Sequence, residues 1–289
     1  MKIEIDKNGK RDKCGFYSHP QRPEWCESVT KIEIDKWKIE NGVEIFCDSF
    51  EDSANDKMQN EWFYDGVYDC SEWKPECNKP GAILLSIHDT EDGPIAIYAT
   101  PFKTILFYDT ETTGMPDWKK PSGGESQPHI VQIGAILCNS ETKEVIDILN
   151  VIIQPDGWEI PKDTIDVHGI TEEIANDVGI PEKEAIKMLL DLRGDTDRVA
   201  FNKTFDQRII RIGLKRFFNE QTQEKWCIKD DHHCAMLMSQ KVMKGKYPKL
   251  IDAYKHFTGK EMKGAHDALA DAKGCMTVYF AAKEALAKI

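Results

Sequence analysis

Thr104-Ile105-Leu106-Phe107-Tyr108-Asp109-Thr110-Glu111-Thr112-Thr113-Gly114 decides how the rest of the chain is read. Its first five residues are a short apolar run suited to a central strand. The run then ends in acids. Residues two apart in a strand share a face, so Asp109 and Glu111 would present two carboxylates side by side. Paired acids at the end of an apolar strand are costly to bury unless a cation sits there. Hard divalent ions such as Mg²⁺ take such oxygen ligands. Thr112-Thr113-Gly114 turns the chain, and Gly114 permits close backbone approach to a ligand. Taken alone, the stretch also fits two solvated acids at a strand end.

Outward from this strand, His129–Cys138 and Glu144–Gln154 read as two further strands joined by an Asn139-Ser140 turn. Thr171-Glu172-Glu173 starts a helix, and Pro181 opens another that stops near Gly194. Arg198–Phe201 is a fourth strand, followed by a helix through Ile209, Ile210, Ile212 and Leu214. Pro248–Phe257 and Asp267–Leu286 complete a helical C-terminus. A strand meander followed by strand–helix alternation implies an α/β fold, a mixed sheet with helices on its faces.

Two more stretches carry candidate chemistry. Val199-Ala200-Phe201-Asn202-Lys203-Thr204-Phe205-Asp206 runs from strand through loop to helix start, where a carboxylate is favoured by the helix dipole. Simple capping is the competing reading of Asp206. Gly264-Ala265-His266-Asp267-Ala268-Leu269-Ala270-Asp271-Ala272 places Asp271 just over one turn beyond His266. A histidine, with an ordinary pKa of roughly 6.5, suits deprotonation of water near neutral pH. Asp267 reads as a first-turn helix charge rather than a ligand.

Asp109, Glu111, Asp206, His266 and Asp271 occur in this order, each at a strand end or helix start. Over about residues 103–289 the chain resembles the DEDDh 3′→5′ exonucleases, in particular the epsilon proofreading subunits of DNA polymerase III and their phage-borne relatives. Val167-His168-Gly169-Ile170-Thr171, Pro248-Lys249-Leu250 and Ala268–Ala272 match the same family. The resemblance implies a ribonuclease H-like fold and two-metal hydrolysis of a phosphodiester, with two Mg²⁺ or Mn²⁺ ions about 4 Å apart. It implies that Asp109 bridges both ions and that Glu111 and Asp271 hold the one carrying the attacking water. Asp206 helps hold the other, and His266 takes the proton from that water. The product would be a 5′-mononucleotide.

Substrate contacts are expected first at Thr112, Thr113, Gly114 and Met115, which in the family touch the 3′-terminal nucleotide. Met115 either packs against its base or lies in the core. Asn202 and Phe205 match the family's second motif. Phe205 could stack on a base, with core burial the commoner fate. His168 has a substrate-side or structural role, structural favoured. The polar loop from Pro116 to Pro128, with Lys119 and Lys120, either guides the strand or is simply solvated.

The first hundred residues differ in composition. They hold 12 Lys+Arg against 21 Asp+Glu, a balance of −9, whereas the remaining 189 hold 26 against 29, or −3. Five of nine Cys and four of seven Trp are also there. The shift marks a boundary near Thr100-Pro101, giving an acidic accessory module over 1–100 and the nuclease domain over 101–289. The module reads as β-rich or α+β. Lys2–Lys7 and the identical hexapeptide Lys31–Lys36 alternate like strands, and Ala82–Ile87 and Pro94–Ala99 flank a hairpin turn. Its acidity and its Trp residues suggest a protein partner, with a passive addition as the alternative.

The total charge of −12 argues against holding nucleic acid by bulk positive charge, but not against gripping phosphates through metal ions. No apolar run approaches the roughly 18 residues of a membrane span. Nothing marks the chain for export, and scattered, odd-numbered cysteines read as reduced thiols. Both point to the cytoplasm of a bacterial or phage-infected cell. Zinc at Cys227, His232, His233 and Cys234, or at Cys14, His19, Cys26, Cys70 and Cys77, is disfavoured by irregular spacing. The expected substrate is the 3′ end of single-stranded DNA. RNA trimming, or a catalytically silent binding module, are the alternatives. Any proofreading role would act in trans.

Overall fold

The computed structural model describes residues 3–7, 9–23, 29–101 and 103–288. Two compact units divide between residues 102 and 103.

The first unit is α+β. Its elements are β1 (Tyr17–Ser18), α1 (Lys31–Asn41), β2 (Val43–Ser49), α2 (Phe50–Ser53), α3 (Asp56–Phe63), β3 (Ile83–His88) and β4 (Ile95–Pro101). The four strands form an antiparallel sheet in the order β1-β3-β4-β2. The expected hairpin is β3–β4. The two expected strands at the repeated hexapeptide are not strands. Lys31–Lys36 opens α1, and residues 3–6 have no regular structure, with Lys2 outside the described residues.

Local capping overrides the alternating pattern in α1. The Thr30 hydroxyl accepts from the Glu33 amide, and Glu33 Oε2 accepts from the Thr30 amide at 2.8 Å. Gly42, at φ 65°, closes the far end by donating to Ile39 and Lys38 carbonyls. Two of the four tryptophans read as a binding surface are in the core, and Trp37 is half-buried. Trp62 and Trp73 lie in the core with Phe50, Met58 and Ile87, and Trp25 lies outside the described residues. Among the described residues the exposed aromatics of this unit include Phe63, Tyr64 and Tyr68.

The second unit contains β5 (Thr104–Thr112), β6 (Ile130–Asn139), β7 (Val145–Ile152), α4 (Lys162–His168), α5 (Glu172–Val178) and α6 (Glu182–Arg193). It continues with β8 (Asp197–Ala200), α7 (Lys203–Phe217), α8 (Glu220–Cys227), β9 (His232–Cys234), α9 (Ala235–Met243), α10 (Leu250–Thr258) and α11 (Ala268–Leu286). The five strands form one mixed sheet in the order β7-β6-β5-β8-β9. β5 pairs antiparallel with β6 and parallel with β8.

Alternation along β5 sorts the two cores. Leu106 and Tyr108 pack with Ile186 and Leu189 of α6 and Ile209 and Ile210 of α7. Ile105 and Phe107 pack with Ala235, Ala253, Cys275 and Val278 of α9, α10 and α11. Both faces of this strand are covered, which explains its near-continuous apolar run. No described helix is long and apolar enough to cross a membrane.

Candidate active site

The parity of β5 carries into its acidic end. Asp109 and Glu111 share the face of Ile105 and Phe107, toward α11, while Thr110 points the other way. There its hydroxyl donates to Asp206 Oδ1 at 3.0 Å. Asp206 sits in the first turn of α7 and is buried at 2% exposure. Asp271 lies in the first turn of α11. All four expected acids therefore converge on the C-terminal end of β5.

Close backbone approach makes this convergence sterically feasible. Gly134 of β6 is the register partner of Asp109. A Cβ built there would fall 2.2 Å from the backbone of Ala268 and Leu269, so only glycine lets α11 begin against the sheet. Gln132, the partner of Glu111, pins that helix start. Its side-chain oxygen accepts from the Ala268 amide at 3.1 Å, and its Nε2 donates to Asp267 Oδ2 at 3.0 Å. Asp267 is the N-cap, accepting from the Ala270 amide, which agrees with its reading as a helix-start charge. Thr110, Gln132 and Gly134 were not singled out in the sequence. A lone glycine inside an apolar strand was the available signal for Gly134.

His266 stands on the loop before α11, exposed, with φ at 67°. Left-handed backbone is uncommon for a non-glycine residue and costs on the order of 1 kcal/mol or more. Its amide donates to Asp271 Oδ2 at 3.4 Å. Ligand atoms of Glu111, His266 and Asp271 all lie within 4.8 Å of one another. Among the described residues no other cluster of three or more Asp, Glu, His or Cys side chains comes this close. Asp271 Oδ1 is buried with no hydrogen-bond partner. Carboxylate oxygens with one unpartnered and an imidazole alongside fit a divalent cation.

The electrostatics describe acids waiting for positive charge. Burial, then the charges of Asp206, Asp271 and Glu111, push the Asp109 carboxyl well above the usual range. Burial, then Asp271 and Asp206, raises Glu111 to about 8. Burial raises Asp206 to about 7 against the opposing Thr110 hydrogen bonds, and raises Asp271 to about 6 against the His266 amide. A carboxylate holds its proton this strongly where charge is desolvated among like charges.

The expected substrate residues take different places. Thr112 is buried and its hydroxyl donates to the Gly114 carbonyl at 2.9 Å. Thr113 accepts from the His129 amide at 2.9 Å. The two threonines thus shape the turn. Gly114 has φ at 147°, and space beside it is open. Met115 is 72% exposed, which removes the core reading. Asn202 is exposed at the α7 N-cap without a side-chain capping bond, and Phe205 is half-buried against the core. His168 Nδ1 accepts from the Ile170 amide at 3.1 Å, while its Nε2 is buried and unpartnered. Burial, then the nearby His266, lowers its pKa.

The 116–128 loop is more than a solvated connection. Buried Gln127 bonds the Asp117 amide and the Asp117 and Pro121 carbonyls, and Arg208 of α7 donates to the Asp117 and Lys120 carbonyls. The Cys/His groups have other employment. His232 bonds the Tyr108 hydroxyl at 3.2 Å, His233 meets Asp197, and Cys234 donates to the Phe201 carbonyl. His19 has Glu4 and Gln21 backbone partners, Cys70 donates to the Cys14 carbonyl, and Cys26 lies outside the described residues.

A mixed sheet of ribonuclease H-like kind, with acids gathered at the end of its central strand, defines a nuclease-type α/β protein. The profile of the exonuclease family RNase T matches residues 106–279, and the chain belongs to that family. No curated protein matches the sequence. Among solved structures, product-bound exonuclease I is 20% identical with a TM-score of 0.51, covering 65% of this chain and 45% of its own. An exonuclease I complex with SSB-Ct is 21% identical with a TM-score of 0.50, covering 65% and 42%. The rAMP-bound nuclease domain of 3′hExo, a DEDDh family member, is 16% identical with a TM-score of 0.47, covering 61% and 90%. The chain thus spans less than half the length of the exonuclease I chains it matches.

Proposed function

We propose that residues 103–289 form a DEDDh-type 3′→5′ exonuclease of the epsilon-like kind, releasing 5′-mononucleotides from single-stranded DNA ends. The observation that carries this reading is the cluster of Glu111, His266 and Asp271 donor atoms within 4.8 Å, with half-buried Asp109 and buried Asp206 at the same strand end. Asp109, Glu111, Asp206 and Asp271 would hold two divalent cations, Mg²⁺ or Mn²⁺. Such ions, when bound, neutralise the charge developing on a phosphodiester and make water more acidic. Thr110 keeps Asp206 aimed, and Gln132 and Gly134 hold Asp271 at the sheet. Exposed His266 takes the proton of the attacking water. Met115 and Asn202 offer side chains to the terminal nucleotide, with Phe205 and His168 behind them and the Thr112-Thr113-Gly114 turn setting their approach.

The acidic N-terminal unit is assigned an accessory role, binding a protein partner through surfaces such as Tyr64 and Tyr68, each more than half exposed. The eight described cysteines are all free thiols, which supports a reducing compartment such as the cytoplasm. The test is purified protein with Mg²⁺ or Mn²⁺ on end-labelled single-stranded DNA, duplex DNA and RNA. Stepwise loss from the 3′ end of single-stranded DNA is expected. RNA-only trimming would replace the substrate assignment, and binding without cleavage would overturn the enzyme reading.

A further inference from the structure

Within this acidic chain a lysine-rich segment before the His266 loop reverses sign. Residues 241–263 contain seven lysines, at 241, 244, 246, 249, 255, 260 and 263, against two acids, Asp252 and Glu261. Its balance of +5 stands against −12 for the whole. All seven lysines are exposed. Lys255 is neutralised by Glu261 at 2.5 Å, while the other six have no ion-pair partner among the described residues.

The segment is continuous with the site. It runs from the end of α9 through the 244–249 loop and α10 to the loop carrying His266. Lys260 and Lys263, with Lys273 of α11, line one open cavity of about 340 Å³ beside Tyr254 and Met262. Lys263 precedes His266 by three residues, a span of at most about 10 Å of extended chain. Tyr247, 64% exposed, stands among the lysines.

Exposed like charges close together along the chain repel one another, and their complement is an anion carrying repeated charges. A single small anion would satisfy only the cavity. A phosphodiester strand repeats its charge along its length, and exposed aromatics between cations give its bases a stacking face. We propose that this lysine track binds the sugar-phosphate backbone of the single-stranded DNA whose 3′ end lies at the carboxylates, several nucleotides upstream of the cleaved bond. The inference rests on the nuclease reading above. It adds a length-dependent grip supplied by lysines remote from the acids.

The test compares full-length wild-type protein with a fourfold variant, Lys241→Gln, Lys244→Gln, Lys246→Gln and Lys249→Gln, and with the same four changed to Arg. Binding of a fluorescent deoxythymidine oligomer of about 20 nucleotides is followed with Ca²⁺ between about 50 and 200 mM salt. The Gln variant should lose on the order of 2–3 from the slope of log affinity against log salt, at about 0.7 per lost phosphate contact, and the Arg variant should keep it. With Mg²⁺, kcat/KM on the long oligomer should fall roughly tenfold or more in the Gln variant, by loss of those contacts, while a substrate of about four nucleotides is cut as by wild type. An unchanged slope, equal losses on both lengths, or lysine-dependent binding to phosphatidylserine vesicles with none to DNA would overturn the proposal. If wild type cuts neither substrate, the nuclease reading fails, and the salt slope still judges the lysines separately.

Discussion

The two units handle their acids in opposite ways. Residues 1–100 hold 21 of the 50 acidic side chains, and several of the described ones form local ion pairs. Lys38 meets Glu44 at 2.7 Å and Asp35 at 3.4 Å, and Lys57 meets Glu61 at 3.5 Å. Hydrogen bonds from Thr30 lower the Glu33 carboxyl below its ordinary range. In the second unit Asp109, Glu111, Asp206 and Asp271 are all raised, because burial sets them among one another. Acid count therefore marks the first unit, whereas desolvation in proximity marks the candidate site. A dense negative surface costs little in water, and four desolvated acids cost much until a cation arrives.

The contrast breaks most sharply at Asp109. Asp109→Asn should reduce mononucleotide release on the order of 10³-fold or more, the equivalent of several kcal/mol of lost charge stabilisation. The same change should raise the thermal midpoint of metal-free protein near neutral pH, since the cost of a carboxyl held well above its ordinary pKa disappears. A lowered midpoint would show that the acids are not held at a stability cost. Gly134→Ala is the next largest. Its methyl group meets the α11 backbone, so turnover should fall roughly 10–100-fold through displaced Asp271. Stability should fall by about 1–3 kcal/mol in urea melts. Wild-type turnover would remove the helix-seating role of this glycine.

A third test uses pH. Glu111 and Asp206, raised to about 8 and about 7, keep protons in the folded state that the unfolded chain releases near its ordinary carboxylate range of roughly 4. Their contribution to stability is complete at low pH and is lost as pH rises through the folded values. Metal-free wild type should therefore lose midpoint between about pH 5 and 8 relative to Glu111→Gln, and Mg²⁺ at pH 8 should restore it. Parallel pH profiles for the two proteins would count against the raised Glu111. The smallest effect belongs to the first unit. Thr30→Ala removes the α1 capping box, so that unit should lose about 1 kcal/mol with nuclease turnover unchanged.

Strands β5 to β8 and the ends of α5, α6, α10 and α11 were legible because apolar runs and caps coincide there, whereas β9 and helices α4, α8 and α9 were not, being short and without a clear apolar period. Thr171, Pro181 and Gly194 bound helices as their chemistry predicts. The acids were legible too, since each sits at the end of an element. The supporting contacts were not, because they depend on which residue lies across from which. Gln132 opposite Glu111 and Gly134 opposite Asp109 emerge only from the β5–β6 register. The repeated hexapeptide shows the same limit locally. One copy becomes a helix because Thr30 precedes it and Gly42 follows it, features outside the six residues themselves.

The alternation of β5 has a consequence for insertions. One extra residue between Tyr108 and Asp109, with the pairing upstream intact, would leave both hydrophobic cores filled but turn Asp109 and Glu111 toward α7. Thr110 would then face α11 in their place. The sheet would still fold around such a strand, with its acids on the wrong side of the fabric. Under the proposed nuclease reading, catalytic competence would thus be written as an odd–even count along nine residues, and a change that spares every proposed site residue would erase it.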